Sequence, residues 1–185
     1  MQVQGYGLHR GNRPAVMMGV PEDRAAAIMT AAYYLGPLYG YVDLDPLLVL
    51  AQSAFETGNF TSRLIVEQRN AFGMRQPAQR PTTSTGAGPT GFATYETLAD
   101  SVEDYFMRQA YFNVPDSMLA ETYIQGTLAS GYSSEAHYAD AWLNKYRGLI
   151  QAGAPPVNQQ GPGNSGGPLL GLLLIGGAVA LSSKR

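Results

Sequence analysis

The sequence predicts a mainly α-helical domain flanked by two ends of different character. Three observations lead there. Apolar residues recur at three- and four-residue spacing in several separate segments, the periodicity of helices with one buried face. Those segments open on proline, acidic or hydroxyl residues and close on glycine, the usual punctuation of helix ends. The glycines and prolines that would break such an array concentrate at the two ends and between Pro77 and Gly91.

The chain has 185 residues, enough for one domain plus tails. Twelve basic residues stand against fourteen acidic ones, without basic blocks. Nucleic acid is therefore not an expected partner. There is no cysteine, which excludes disulfides and thiolate metal sites. His9 and His137 are far apart in the chain, so neither a metal nor another cofactor is expected.

Residues 1–20 are polar and glycine-rich and read as a flexible arm. They lack the basic, then apolar, then small pattern of a secretory leader; a docking strap onto a partner protein is the alternative. The folded domain is expected over 21–152, followed by a linker of Gly, Pro, Asn and Gln at 153–167. Residues 168–181 are apolar apart from glycines, and 182–185 form a basic tail. The apolar run sits at the short edge of the about 17 to 25 residues that a spanning helix needs. Lys184 and Arg185 favour a C-terminal transmembrane helix ending on the cytoplasm-like side. Gly176 and Ala180 form a small-residue pair for packing on a neighbouring helix. A re-entrant segment or a peptide docking on another protein would also fit.

Within the domain, Pro21-Glu22-Asp23 is a helix start. Ala25, Ile28, Met29, Ala32 and Leu35 mark its buried face until Gly36-Pro37 interrupts. Tyr33, Tyr34, Tyr39 and Tyr41 suit either a cleft lining or packing with a wetted hydroxyl. Asp45-Pro46 opens the central helix, in which Leu47, Leu50, Ala51, Ala54 and Phe55 face inward. Val49, Gln52, Ser53 and Glu56 fall on its other face. Thr57-Gly58-Asn59 closes it, with Gly58 suited to the left-handed cap. Glu56 lies in the last turn, at the negative end of the helix dipole, which disfavours its charged form. Partial burial would act in the same direction, as a general acid requires. The alternative is a solvated helix-end residue.

Thr61 or Ser62 is placed to cap a short helix through Gln68, with Leu64 and Ile65 as its apolar contacts. Leu98, Val102, Tyr105, Phe106 and Gln109 trace one face of a further helix. Pro115-Asp116-Ser117 reads as the start of the next, ending near Gly126 or Gly131. Ser133-Ser134-Glu135 reads as a cap with an early acid before the last helix. Its buried stripe is Ala139, Trp142, Leu143, Tyr146, Leu149 and Ile150, with Trp142 the largest anchor.

Gln52, Glu56-Thr57-Gly58 and Asn70-Ala71-Phe72-Gly73 together resemble the glucosaminidase family of peptidoglycan hydrolases (glycoside hydrolase family 73, the flagellar muralytic type). That family reads A-Q-x-x-x-E-T-G and then N-x-F-G. The resemblance covers roughly Ala25 to Ile150. Phe92 to Tyr95 and Ser101 to Tyr105 match its F-x-x-Y and S-x-x-D-Y runs. Gly131-Tyr132 stands in its G-Y-A-T-D-P-x-Y-A segment, from which Ser133 to Ala136 departs.

The resemblance implies a lysozyme-like helical domain with a small irregular β-lobe over Arg75–Gly91 as the opposite wall of a cleft. It implies Glu56 as the catalytic acid, with Gln52, Asn70, Phe72, Tyr95 and Tyr132 as substrate-binding residues. Peptidoglycan glycan strands are the implied partner, cut as by an N-acetylglucosaminidase. A lytic transglycosylase or muramidase on the same scaffold, or an inactive wall-binding or capsid–membrane linking protein, is the alternative. Many family members carry a second glutamate in the lobe, whereas this chain has no acid between Glu67 and Glu96. Glu67, Glu96 and Asp100 remain as candidates, or the substrate's own 2-acetamido group as nucleophile. A wall-cutting domain with a membrane anchor and no export signal suggests a membrane-containing bacteriophage particle that opens the wall during entry. Its arm would then contact capsid or other virion proteins. A bacterial envelope location is the alternative.

Overall fold

The structure, a computed structural model, describes residues 24–153. The expected helix start at 21–23, the arm, most of the linker, the apolar segment 168–181 and the basic tail lie outside the described residues. Among the described residues no helix is long and apolar enough to cross a membrane.

Among the described residues, six α-helices and a two-stranded sheet follow in the order α1 (Arg24–Leu35), α2 (Pro46–Glu56), α3 (Arg63–Gln68), β1 (Gly86–Ala87), β2 (Ala93–Thr94), α4 (Leu98–Tyr111), α5 (Ala120–Ala129) and α6 (Tyr138–Ala152). A 3₁₀ turn, Gly36–Tyr39, follows α1. Gly36 is the tight point there: an added Cβ would meet the Phe106 ring and the Tyr41 carbonyl at 3.2 Å.

Helix α2 is the central element. Asp45 caps it by accepting from the Leu47 N–H at 2.9 Å, and Pro46 supplies the first turn. Thr57 ends it, and Gly58 adopts the left-handed conformation at φ +57°. The expectation of one buried face is corrected. Every residue from Leu47 to Ala54 is buried, Val49, Gln52 and Ser53 included. Helices α1 and α6 both pack on α2, α4 packs on α1, and α5 on α6. Trp142 of α6 is fully buried and its indole N–H donates to the Leu48 carbonyl at 2.8 Å.

Burial in α4 follows the predicted face and extends beyond it, since Asp100, Glu103, Asp104 and Arg108 are also buried. Thr97 and Asp100 form a reciprocal capping box at its start. Two helix starts differ from the sequence reading. Helix α5 begins at Ala120 because the Asp116 carboxylate instead accepts from the Val42 and Asp43 N–H groups, at 2.9 and 3.0 Å. Helix α6 begins at Tyr138, with Ser133 to His137 forming an irregular loop, and Ile150 is exposed rather than buried. Ser62 precedes α3 without a side-chain cap bond, and Ile65 is the buried contact of that helix.

The β-lobe is small. Strands β1 and β2 pair antiparallel, Gly86 opposite Thr94 and Ala87 opposite Ala93, with one further bridge from Arg75 to Phe92. Arg80 ties the lobe to α4 by a bidentate bond to Asp104, at 2.6 and 3.1 Å.

Candidate active site

An open cavity of about 810 Å³ lies between the β-lobe and the loop before α6. Arg75 to Arg80 line one side, and Gly131 to Ser133 with Glu135 the other. Phe55, Glu56 and the Phe72–Met74 turn lie between, with Tyr138, Arg108, Tyr111 and Phe112 completing the lining.

Glu56 is the last residue of α2, placed at the cavity because the helix stops there. Its Oε1 accepts a hydrogen bond from the Tyr138 hydroxyl. Its Oε2 lies on the side of Gly73, where an added Cβ would come within 3.3 Å. Gly73 has φ +60°, so glycine serves both the turn and the close approach. Burial pushes the Glu56 carboxyl above the ordinary carboxylate range. The Tyr138 hydrogen bond pulls against this, and the nearby Glu135 charge adds to it. A carboxyl in an open cavity that favours its protonated form has the placement of a proton donor.

The Asn70–Met74 turn is held from inside. Asn70 Nδ2 donates to the Met74 and Ala93 carbonyls at 2.7 and 2.9 Å, and its Oδ1 accepts from the Phe72 and Met74 N–H groups at 3.3 and 3.0 Å. Asn70 is fully buried and absent from the cavity lining. Its expected substrate contact is therefore corrected to stapling the turn and the lobe. Gln52 is corrected likewise: it is fully buried, accepting from the Tyr105 hydroxyl at 2.6 Å and donating to that of Tyr138 at 3.1 Å. Tyr95 is also withdrawn from the cavity, donating at 2.8 Å to the Asp104 carboxylate that holds Arg80.

Phe72 and Tyr132 do line the cavity. The Phe72 ring is almost wholly buried and stacks on Tyr105 at 4.3 Å. The Tyr132 hydroxyl donates to the Phe72 carbonyl at 2.6 Å, and the Arg108 guanidinium lies 4.7 Å over its ring. Both therefore shape the wall beside Glu56. Among the four early tyrosines, none joins the lining. Tyr41 is buried and donates to the Val114 carbonyl at 3.0 Å, whereas Tyr33 is half exposed on the surface.

None of the three candidate second acids reaches the cavity. Glu67 pairs with Arg63 along the exposed side of α3, Glu96 is exposed, and Asp100 is spent on the capping box. Two residues at the site were not anticipated. Among the described residues, Glu135 is the one acid besides Glu56 in the cavity lining. Tyr138 supplies the hydrogen bond to Glu56. The signal for Tyr138 was its match to the second tyrosine of the G-Y-A-T-D-P-x-Y-A segment. Among the described residues no cluster of His, Cys, Asp and Glu is arranged to hold a metal ion.

A family model described as glucosaminidase, mannosyl-glycoprotein endo-β-N-acetylglucosaminidase, matches residues 38–151. Comparison with curated proteins gives no match. Among solved structures, a peptidoglycan hydrolase from Sphingomonas sp. A1 is similar with a TM-score of 0.55 at 16% identity, covering 72% of this chain and 96% of that one. The catalytic domain of the autolysin Auto from Listeria monocytogenes gives 0.52 at 16% identity, covering 74% and 89%. A type VI secretion system effector–immunity complex from Pseudomonas protegens gives 0.52 at 20% identity, covering 70% and 96%. The helical fold with its small lobe is thus shared with these structures. Because the family match spans well over half of the chain and takes in both Glu56 and the Asn70–Gly73 turn, the protein belongs to the glucosaminidase family of glycoside hydrolases.

Proposed function

We propose that the domain hydrolyses the β-1,4 glycan backbone of peptidoglycan beside N-acetylglucosamine, with Glu56 donating the proton to the departing oxygen. The observation that carries this reading is the setting of Glu56: a half-buried carboxyl with a raised pKa, held by one donor and opening on a cavity large enough for sugar rings. Two of the similar structures are described as a peptidoglycan hydrolase and an autolysin. Arg75, the exposed arginine of the lining, suits a polymer whose stem peptides carry carboxylates.

Glycan hydrolysis through two carboxyl groups needs a second one flanking the scissile bond. Glu135 is the residue placed for that role, on the loop opposite the lobe. If the substrate's 2-acetamido group acts instead, Glu56 suffices. Zymography on purified peptidoglycan tests both points: Glu56→Gln abolishes clearing, while Glu135→Gln abolishes it only on the two-carboxyl route. Unchanged clearing by Glu56→Gln would overturn the assignment. Mass spectrometry of the released fragments distinguishes a reducing N-acetylglucosamine end from the anhydro-muramic end of a lytic transglycosylase.

Residues 168–181 with Lys184 and Arg185 support a membrane tether for this domain, and a membrane-containing bacteriophage particle is the setting we favour. Recovery of the chain with purified particles, and its release by detergent, tests that placement. Recovery with the bacterial envelope alone would refute it.

A further inference from the structure

A continuous row of buried polar side chains runs from one side of the cavity, through the core, to Glu56. Arg108 Nη1 donates to Gln109 Oε1 at 2.7 Å. Gln109 Nε2 lies within hydrogen-bond reach of the hydroxyls of Tyr105, Tyr123 and Thr127, at 3.1, 3.0 and 2.8 Å, and shares its two protons among them. Tyr105 donates to Gln52 Oε1 at 2.6 Å, Gln52 Nε2 donates to the Tyr138 hydroxyl at 3.1 Å, and Tyr138 donates to Glu56 Oε1. Gln109, Tyr105, Tyr123 and Gln52 are fully buried and Tyr138 nearly so.

With the Gln52 and Gln109 amides as they lie in the structure, this row has one direction. A guanidinium has donors and no acceptor. Arg108 therefore fixes which end of the Gln109 amide is oxygen, so the amide N–H groups point at the tyrosines. Tyr105 has one proton and spends it on Gln52 Oε1, so its 2.9 Å contact with Tyr123 is filled by the Tyr123 proton. The Gln52 amide lies with its oxygen toward Tyr105 and its N–H toward Tyr138. Tyr138 accepts there and has its own proton free for Glu56.

The end of the row has a consequence for chemistry. Oε1 of Glu56 is always met by a donor, so when the carboxyl is protonated the proton resides on Oε2, the oxygen beside Gly73 at the cavity wall. We propose that Arg108, acting through Gln109, Tyr105, Gln52 and Tyr138, confines the acid proton of Glu56 to its cavity-side oxygen, which makes these five side chains positioning residues of the site. The proposal rests on the reading of Glu56 as proton donor. It accounts for a row of polar groups in the core that an apolar core would not need.

Gln109→Glu is the direct test. It keeps the shape and the bond to Arg108 but offers an acceptor where Tyr105 now finds a donor, so Tyr105 turns away from Gln52 and the row loses its direction. The Glu56 proton is then free to sit on Oε1. Gln52→Glu reverses the row one link nearer and serves if the first variant does not fold. Tyr138→Phe removes the last donor. Two readouts are taken on the full chain: kcat and KM on peptidoglycan, and the titration of the Glu56 carboxyl followed by ¹³C NMR. The other ionisable groups at the cavity, Tyr111, Tyr132, Glu135, Arg75, Arg80 and Arg108, are unchanged in all three variants. Gln109→Glu and Gln52→Glu each add a carboxyl that raises the Glu56 titration by its own charge, so the uncharged Tyr138→Phe sets the shift that loss of the last donor alone produces.

The expected result for each variant is a folded protein with kcat lowered about tenfold, unchanged KM, and a Glu56 titration moved to higher pH. Folded Gln109→Glu or Gln52→Glu protein with the parent's kcat and titration curve would overturn the relay. The titration does not use substrate. A parent that fails to cleave peptidoglycan would thus sink the proposed function, while the shifts in titration would still decide the relay.

Discussion

Replacing Asn70 by alanine separates a staple from a substrate contact. The side chain makes four hydrogen bonds in a fully buried site, two as donor and two as acceptor. Met74 O keeps a second partner, the Ala93 N–H at 2.9 Å. The N–H groups of Phe72 and Met74 lose the acceptor they share. A buried polar group left unpaired costs about 1–3 kcal/mol, so two such donors put the loss at about 2–6 kcal/mol. That is a large part of the about 5–15 kcal/mol by which a domain is stable. For a domain of this size it lowers Tm by at least about 6 °C. Thermal unfolding followed by circular dichroism gives the value directly. Asn70→Asp sharpens the reasoning: at neutral pH a carboxylate faces the Met74 and Ala93 carbonyls without a donor. Its destabilisation should ease as pH falls and the acid regains a proton to donate. An Asn70→Ala protein melting within about 3 °C of the parent, with only KM for peptidoglycan raised, would refute the staple and restore the substrate contact.

Gly73→Ala forces a side chain into a left-handed backbone, at about 1–2 kcal/mol, and sets a methyl 3.3 Å from Glu56 Oε2; kcat should fall well beyond the modest loss in Tm. Trp142→Ala empties the largest buried side chain and drops the bond to the Leu48 carbonyl, costing about 3–5 kcal/mol by denaturant unfolding. Arg80→Ala leaves the buried Asp104 carboxylate without its cationic partner, with only the Tyr95 hydroxyl still donating to it, and should cost about 3–5 kcal/mol; Arg80→Ala together with Asp104→Asn should recover part of it. Glu56 has a pKa raised by burial in the folded state, so its contribution to stability is full below the unfolded pKa and is lost as pH rises through the folded one. Glu56→Gln should flatten that dependence in urea titrations across pH and exceed the parent in stability at neutral pH. A parent whose stability rises with pH over the same window, by an amount that Glu56→Gln removes, would contradict the assigned sign.

Much of the helical framework was readable because periodic burial and end signals agreed. Asp45-Pro46 and Gly58 delimit α2, and Val102, Tyr105, Phe106 and Gln109 lie inward on α4 as their spacing indicates. The site was readable only in part, and the failures share a cause. A helix surrounded on every side buries its polar face too, so Gln52 and Ser53 looked outward in the periodicity and are inside. Asn70 and Tyr95 carry motif identity, but a motif records that a residue is needed, not whether it meets the ligand or the backbone. Asp116 illustrates the tertiary override of a local signal. Its carboxylate satisfies two backbone N–H groups more than seventy residues earlier in the chain, and the helix that Pro115 seemed to announce starts later. Tyr138 lies one helical turn before Trp142 in the buried stripe, where a tyrosine reads as packing. Only the fold brings its hydroxyl to Glu56.

The forces on Glu56 oppose one another in a way that suits a group that must both give up and regain a proton. Burial and the Glu135 charge favour the protonated form, and the end of the α2 dipole adds to them. The Tyr138 bond favours the ionised form. Burial by itself only raises the pKa, and a donor works best with a pKa near the working pH, so an opposing interaction suits the role. Were the bond alone at work, the group would be ionised before any substrate arrived. A mobile water could supply such a bond as well, but not with a fixed direction. A phenol anchored by Gln52, in a row whose polarity begins at an arginine, provides the opposing interaction at one oxygen and leaves the other for the substrate. On the proposed reading of Glu56 as proton donor, that asymmetry is the use α2 makes of a fully buried Gln52 in the middle of a helix that is otherwise mostly apolar.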